Sequence, residues 1–163
     1  MKAATRRAAK GPGPVDEHGS EPVAFRGIGS PLFKRASAAY QDFQDGQCDI
    51  WCWNINGFNA AVNKGTIQSF FSEMDPTILC LNETKLQELT IDAKKFHEIV
   101  PEGYEQYWNC STAKKGYSGT AIFTKVKPLW VQNDFDDKHN TEGRSISMEF
   151  EKFVLVCTYV PNS

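Results

Sequence analysis

From residue 50 onward the chain alternates short apolar runs with polar breaks. The stretches 50–54, 77–82, 104–108, 119–124, 129–132, 145–150 and 153–160 each read as a β-strand. Ser145, Ser147 and Glu149 alternate with Ile146, Met148 and Phe150, the period-two pattern of a half-buried strand. Glu151-Lys152 suits a tight hairpin turn into the next strand. A different period holds earlier. Ile67, Phe70, Phe71 and Met74 stand at i, i+3, i+4 and i+7, which predicts one amphipathic helix over 60–74, stopped by Asp75-Pro76. A shorter helix is predicted over 92–100. One helical crossover followed mainly by strands indicates an α+β fold with a mostly antiparallel sheet. There is no internal repeat.

The segment before this pattern differs. Residues 1–10 are Ala-rich, with Lys2, Arg6, Arg7 and Lys10 and no acid, and Gly11-Pro12-Gly13-Pro14 breaks any helix. Three readings stand for this start: an organelle-targeting peptide, a nuclear signal or an unstructured solubilising tail. A short helix is predicted within 30–46, around Pro31, Leu32, Phe33 and Tyr40. The expected division is therefore a disordered tail over 1–47 and a globular unit over 48–163.

Composition narrows the class. The 163 residues are 40% hydrophobic and 12% aromatic, which suits one domain or part of a larger one. No apolar run approaches the ~18 residues of a membrane span, and no secretory segment follows the start, so no membrane partner is expected. Residues 1–47 hold seven Lys/Arg against five Asp/Glu, and 48–163 hold eleven against fifteen. The folded part is thus mildly acidic, which leaves nucleic-acid binding to local groups and suits a metal site. Five cysteines, at 48, 52, 80, 110 and 157, form no C-x-x-C. All five are expected to be reduced, in an intracellular protein.

The candidate chemistry sits where apolar strands end. Ile-Leu-Cys-Leu-Asn-Glu-Thr-Lys over 78–85 delivers Glu83 and Lys85 to the mouth of a strand. A dry, unpaired carboxylate is costly, so Glu83 needs a cation, a metal or water. A hard divalent cation takes oxygen ligands and often only one or two carboxylates; a salt bridge to Lys85 explains the same spacing. Asn54 and Asn56 supply amide oxygens beside that site, or serve the turn before Gly57. Lys114-Lys115-Gly116-Tyr117-Ser118-Gly119 is a phosphate-facing loop or a solvated one. Arg144 forks onto phosphate oxygens or pairs with Glu142. Tyr159 ends the last strand, as a donor to a developing oxyanion or as a boundary residue of the core.

Taken in order, five segments resemble the exonuclease III-like apurinic/apyrimidinic endonucleases of the endonuclease/exonuclease/phosphatase superfamily. They are Trp53-Asn54-Ile55-Asn56-Gly57, the 78–85 run, Gly116-Tyr117-Ser118-Gly119, Glu142-Gly143-Arg144 and Tyr159-Val160-Pro161-Asn162. The resemblance covers residues 50–163. It implies a four-layered, DNase I-like α/β-sandwich of which this chain is the first half. It also implies Mg²⁺-dependent (or Mn²⁺-dependent) hydrolysis of DNA on the 5′ side of an abasic site, in DNA repair. By resemblance Glu83 and Asn56 hold the metal, with Asn54 and Lys85 behind them. Tyr117, Arg144 and Gly116 meet the DNA backbone, and Tyr159 and Asn162 act at the scissile phosphate. Asn82 stands where the family usually has Gln, and Ala121 where it often has Gly.

The family's later motifs, Gly-Asp-x-Asn and Ser-Asp-His, do not occur in these 163 residues. None of the three histidines, His18, His97 and His139, matches the catalytic one. The chain is therefore expected to be an inactive half whose partners are abasic duplex DNA and a complementary C-terminal half. A single sheet with one uncovered apolar face is expected, hence association or poor solubility alone. A nuclear location is expected, with the mitochondrion as the other reading of the basic start. A non-catalytic DNA-binding fragment and a phosphatase of the same superfamily are the rival functions.

Overall fold

A computed structural model describes residues 7–9, 48–135 and 141–161. The expected helix within 30–46, His18, His139 and Asn162 lie outside the described residues. Among the described residues, eight strands and three α-helices run in the order β1 (Arg7–Ala9), β2 (Cys48–Asn54), α1 (Phe58–Asn63), α2 (Thr66–Met74), β3 (Ile78–Asn82), α3 (Glu88–Ala93), β4 (Glu105–Asn109), β5 (Thr120–Thr124), β6 (Trp130–Asn133), β7 (Ser145–Glu149) and β8 (Val154–Thr158). A 3-10 turn, Phe96–Glu98, follows α3.

The strands form two sheets, not the single one expected: a five-stranded sheet in the order β1-β2-β3-β5-β4 and a three-stranded sheet β6-β7-β8. Only β2 and β3 pair in parallel; the other described pairs are antiparallel. The α1–α2 connection makes that one parallel crossover, as parallel neighbours require. The central strands β3 and β5 are buried on both faces, which explains why their sequences are apolar runs without alternation.

Each face of the large sheet has its own core. Leu79, Leu81, Ala121 and Phe123 face the helices, packing with Phe58, Ile67, Phe71 and Phe96. Phe58 alone meets Phe96, Trp108 and Phe123 edge-on, with ring centroids 5.3, 5.1 and 6.3 Å away. Ile78, Cys80 and Ile122 face the other way, onto Ile146, Met148, Phe150 and Cys157 of the small sheet and its hairpin. The uncovered face expected of a single sheet is therefore covered here. On the small sheet, Val154 and Val156 are exposed.

Two other expectations, both of helices, are corrected. The helix over 60–74 is two helices, because Gly65 takes φ +69° and breaks the chain direction; Met74, at the end of the predicted stripe, is exposed. The helix over 92–100 begins earlier, at Glu88, and ends at Ala93, and left-handed Lys95 (φ 51°) separates it from the 3-10 turn. Within the expected tail, Arg7–Ala9 pairs antiparallel with Cys48–Ile50. An open strand edge accepts any segment with free main-chain groups, so side-chain pattern gave no warning.

Candidate active site at the converging strand ends

Parallel β2 and β3 end on the same rim, in register from Ile50↔Ile78 to Asn54↔Asn82. Just past that rim the backbone is pinned. Ile55 N–H donates to Asn82 O (3.0 Å), Gly57 N–H to Glu83 O (2.7 Å) and Phe58 N–H to Thr84 O (2.9 Å). From the other side, Thr84 N–H donates to Gly119 O (3.0 Å) and Lys85 N–H to Ser118 O (2.9 Å). Asn56, Glu83 and Lys85 all take left-handed φ values, 50°, 56° and 55°. Each such residue costs about 1–3 kcal/mol, and such strain concentrates at functional sites. The alternation sinks Thr84 fully into the protein and leaves Glu83 and Lys85 facing outward together.

Two oxygens there hold a cation between them. Lys85 Nζ donates to Asn56 Oδ1 at 2.6 Å and lies 3.1 Å from Glu83 Oε2. Asn54 Nδ2 donates to the other carboxylate oxygen, Oε1, at 2.7 Å, and its own Oδ1 accepts from Asn56 N–H at 3.1 Å. The Asn54 hydrogen bond, then those from Lys85 and Tyr159, hold the Glu83 carboxyl below its ordinary range against the opposing effect of burial. Glu83 is thus ionised at neutral pH. Of the two readings of Glu83 made from spacing, the salt bridge to Lys85 is present.

A second group joins from the small sheet. Tyr159 follows β8, and its N–H donates to Arg144 O at 2.8 Å. The guanidinium carbon of Arg144 sits 5.2 Å from the Tyr159 ring centre and 5.5 Å from that of Tyr117. Arg144 Nη2 donates to the Tyr117 hydroxyl at 2.6 Å, and Nε donates to Glu142. Burial first, then the neighbouring Glu83, raise the Tyr159 phenol above its ordinary range, so it remains a proton donor. Arg144 Nη1 is buried without a hydrogen-bond partner among the described residues. Lys114 and Lys115 line an open groove with Gln87, Glu88 and Cys110. Gly116 is exposed at φ +68° with open space around it.

The structure brings together Glu83, Asn54, Asn56, Lys85 and Tyr159, and sets Tyr117 and Arg144 beside Tyr159. His97 is exposed on the 3-10 turn, 4.0 Å from Glu98. No group of three His, Cys, Asp or Glu side chains converges as a metal cage among the described residues.

Sequence reasoning missed the clasp that seats Arg144. Asp134 is buried: its Oδ1 accepts from Arg144 N–H and Ser145 N–H, both at 3.1 Å, and its Oδ2 accepts from Asn109 Nδ2 at 2.9 Å. Asn109 Nδ2 also reaches Ser145 O at 2.9 Å. A buried loop aspartate has no period, and only its place just past a strand end hinted at it. The small sheet reaches the rim by a second route, because Asn82 Nδ2 donates to Thr158 O at 3.4 Å. That places Asn82, the departure from the family's usual Gln, between the strand bearing Glu83 and the strand bearing Tyr159.

Comparison with known proteins gives concordant matches. Residues 52–162 match the Endonuclease/Exonuclease/phosphatase family. An exodeoxyribonuclease of Bacillus subtilis (strain 168) is 43% identical over 112 residues, 68% of this chain and 42% of that protein. The DNA repair nuclease APEX1 of Danio rerio is 38% identical over 149 residues, 91% of this chain and 46% of that protein. The crystal structure of AP endonuclease LMAP from Leishmania major superposes with a TM-score of 0.57 at 28% identity, over 69% of this chain and 40% of that one. The chain spans less than half the length of these relatives.

Proposed function

The chain belongs to the endonuclease/exonuclease/phosphatase family, and from that premise we propose that it carries the metal-holding and phosphate-holding part of a DNA-repair phosphodiesterase that cuts 5′ to an abasic site. The observation that carries this reading is the Lys85 ammonium held between Glu83 Oε2 and Asn56 Oδ1 next to the Tyr159–Arg144–Tyr117 group. Hard oxygens that grip an ammonium suit Mg²⁺, or Mn²⁺ in its place, since such ions use one or two carboxylates and complete their shell with water. When bound there, a divalent cation neutralises charge on a phosphate oxygen and acidifies water.

The chain's own residues do the rest. Glu83 and Asn56 hold the ion, and Asn54 fixes the carboxylate. Lys85 balances the charge of the oxygen pair that would hold the ion. Protonated Tyr159 donates to the scissile phosphate. Arg144, stacked between two tyrosines, presents its planar fork to the DNA backbone, and the Lys114–Lys115 groove and Gly116 continue that track. Asn162, one residue past the described rim, is assigned to the phosphate by resemblance alone. Among the described residues we assign no general base; His97 is exposed on the 3-10 turn beside Glu98.

The chain alone therefore binds abasic duplex DNA without cutting it. The test is incubation of purified chain with a duplex holding one abasic site, in Mg²⁺. Retained, salt-sensitive binding with no nick is expected. Robust nicking would overturn the division of labour, and absence of any binding would overturn the DNA reading. A nuclear location is part of this proposal, since a relative named a DNA repair nuclease fits it.

A further inference from the structure

Three thiols outside this site meet where the two sheets pack. Cys52 and Cys80 are register partners on adjacent strands, so they share a face. That face is the one turned toward the small sheet, where Cys80 and Cys157 are buried in the same core. The Asn82 amide binds them further: its Nδ2 lies 3.9 Å from Cys52 Sγ, and Cys157 Sγ donates to its Oδ1 at 3.5 Å. The neighbouring Cys157, together with burial, raises the Cys80 thiol well above its ordinary range. All three are free, and Cys52 alone of them is exposed. The other two cysteines do not join: Cys48 lies at the start of β2, and Cys110 packs in the helix-side core.

We propose that Cys52, Cys80 and Cys157 form an oxidation site for small-molecule disulfides, in which exposed Cys52 takes up the oxidant and the inner pair ends as a disulfide between the sheets. The Cys52 thiol attacks the small disulfide RSSR, breaking its S–S bond, forming Cys52–S–S–R and releasing one RSH. Cys157 then attacks the Cys52 sulfur and releases the second RSH. Cys80 finally attacks the Cys157 sulfur, forming Cys80–S–S–Cys157 and returning Cys52 to a thiol. The net exchange is two protein thiols and RSSR for one protein disulfide and two RSH. Cys80 stands three residues before Glu83 and Cys157 two before Tyr159, so the bridge fastens together the two strand ends that carry the rim. Partial burial of its sulfur, then the neighbouring Cys157, raise the thiol of exposed Cys52 above its ordinary range, so the thiolate is scarce at neutral pH and the reaction quickens as pH rises.

The test uses the whole chain, oxidised glutathione as RSSR, and peptide mass mapping. Trypsin cuts after Lys64, Lys85 and Lys152, leaving Cys80 and Cys157 as the sole cysteines of their peptides. The expected product joins peptides 65–85 and 153–163 with the loss of two hydrogens. In Cys52→Ser, a change at an exposed position, that product forms about tenfold more slowly or less, because the accessible entry thiol is gone. A native chain that ends with glutathione on Cys52 and no such cross-link would overturn the proposal. An equal rate of cross-linking in Cys52→Ser would overturn the relay.

Discussion

Glu83 shows how one residue's surroundings decide its chemistry. Its carboxylate has a hydrogen-bond donor on each oxygen, Asn54 on Oε1 and Lys85 on Oε2, and its backbone is held in a left-handed turn. Those donors favour the ionised form, with the Asn54 hydrogen bond the largest of them. The folded-state value is therefore depressed below that of the unfolded chain. The stabilisation is present above the unfolded value and is lost as pH falls through the folded one. Divalent-cation uptake should accordingly persist from neutral pH through the ordinary carboxylate range and fail only below it, a course that calorimetric titration at stepped pH would follow. Asn54→Ala should move that loss to higher pH by removing the main donor. For Arg144→Ala, affinity for duplex DNA should drop and the dependence on salt should weaken by a slope of about one, since one phosphate contact is gone. An unchanged slope, read from binding isotherms at several salt concentrations, would remove Arg144 from the interface.

At the scale of elements, the rim depends on close approaches that only certain residues permit. Gly119 has φ +87°, and a Cβ there would stand 2.4 Å from Thr84 Oγ1. Gly119→Ala should therefore cost about 1–3 kcal/mol, combining left-handed strain with displacement of the turn that carries Glu83. Urea unfolding would measure it. Asp134→Ala leaves two N–H groups and the Asn109 amide without their acceptor, and should cost about 2–4 kcal/mol by the same measurement. These elements differ in how far the sequence reveals them. The strands were legible because alternation in 145–150 and the continuous apolar run of 78–82 follow directly from one-sided and two-sided burial. The helix breaks were not. Gly65 and Lys95 reverse the chain locally, whereas hydrophobic spacing reports only the face that a segment would bury. The Asn109–Asp134–Ser145 clasp was illegible for a related reason, because it joins loop and strand residues 25 and 36 positions apart.

At the scale of the whole molecule, three layers set the site: helices, a five-stranded sheet and a three-stranded sheet packed on its other face. The α+β class and the mostly antiparallel pairing were legible, but the partition into two sheets was not. Pairing partners are chosen by long-range packing, and Ile146 and Met148 carry no mark saying which sheet they will face. That partition sets Tyr159, with Arg144 beside it, from one sheet next to Glu83 from the other. The central claim is that this junction grips a hard divalent cation through Glu83. Its most direct test is Mn²⁺ titration of the isotopically labelled chain by NMR, which reads proximity to the ion residue by residue. The account predicts selective paramagnetic broadening of the amides of residues 54–57, 83–85 and 159, abolished in Glu83→Gln while the rest of the spectrum is preserved. Broadening that spares these residues, or that persists unchanged in Glu83→Gln, would contradict it.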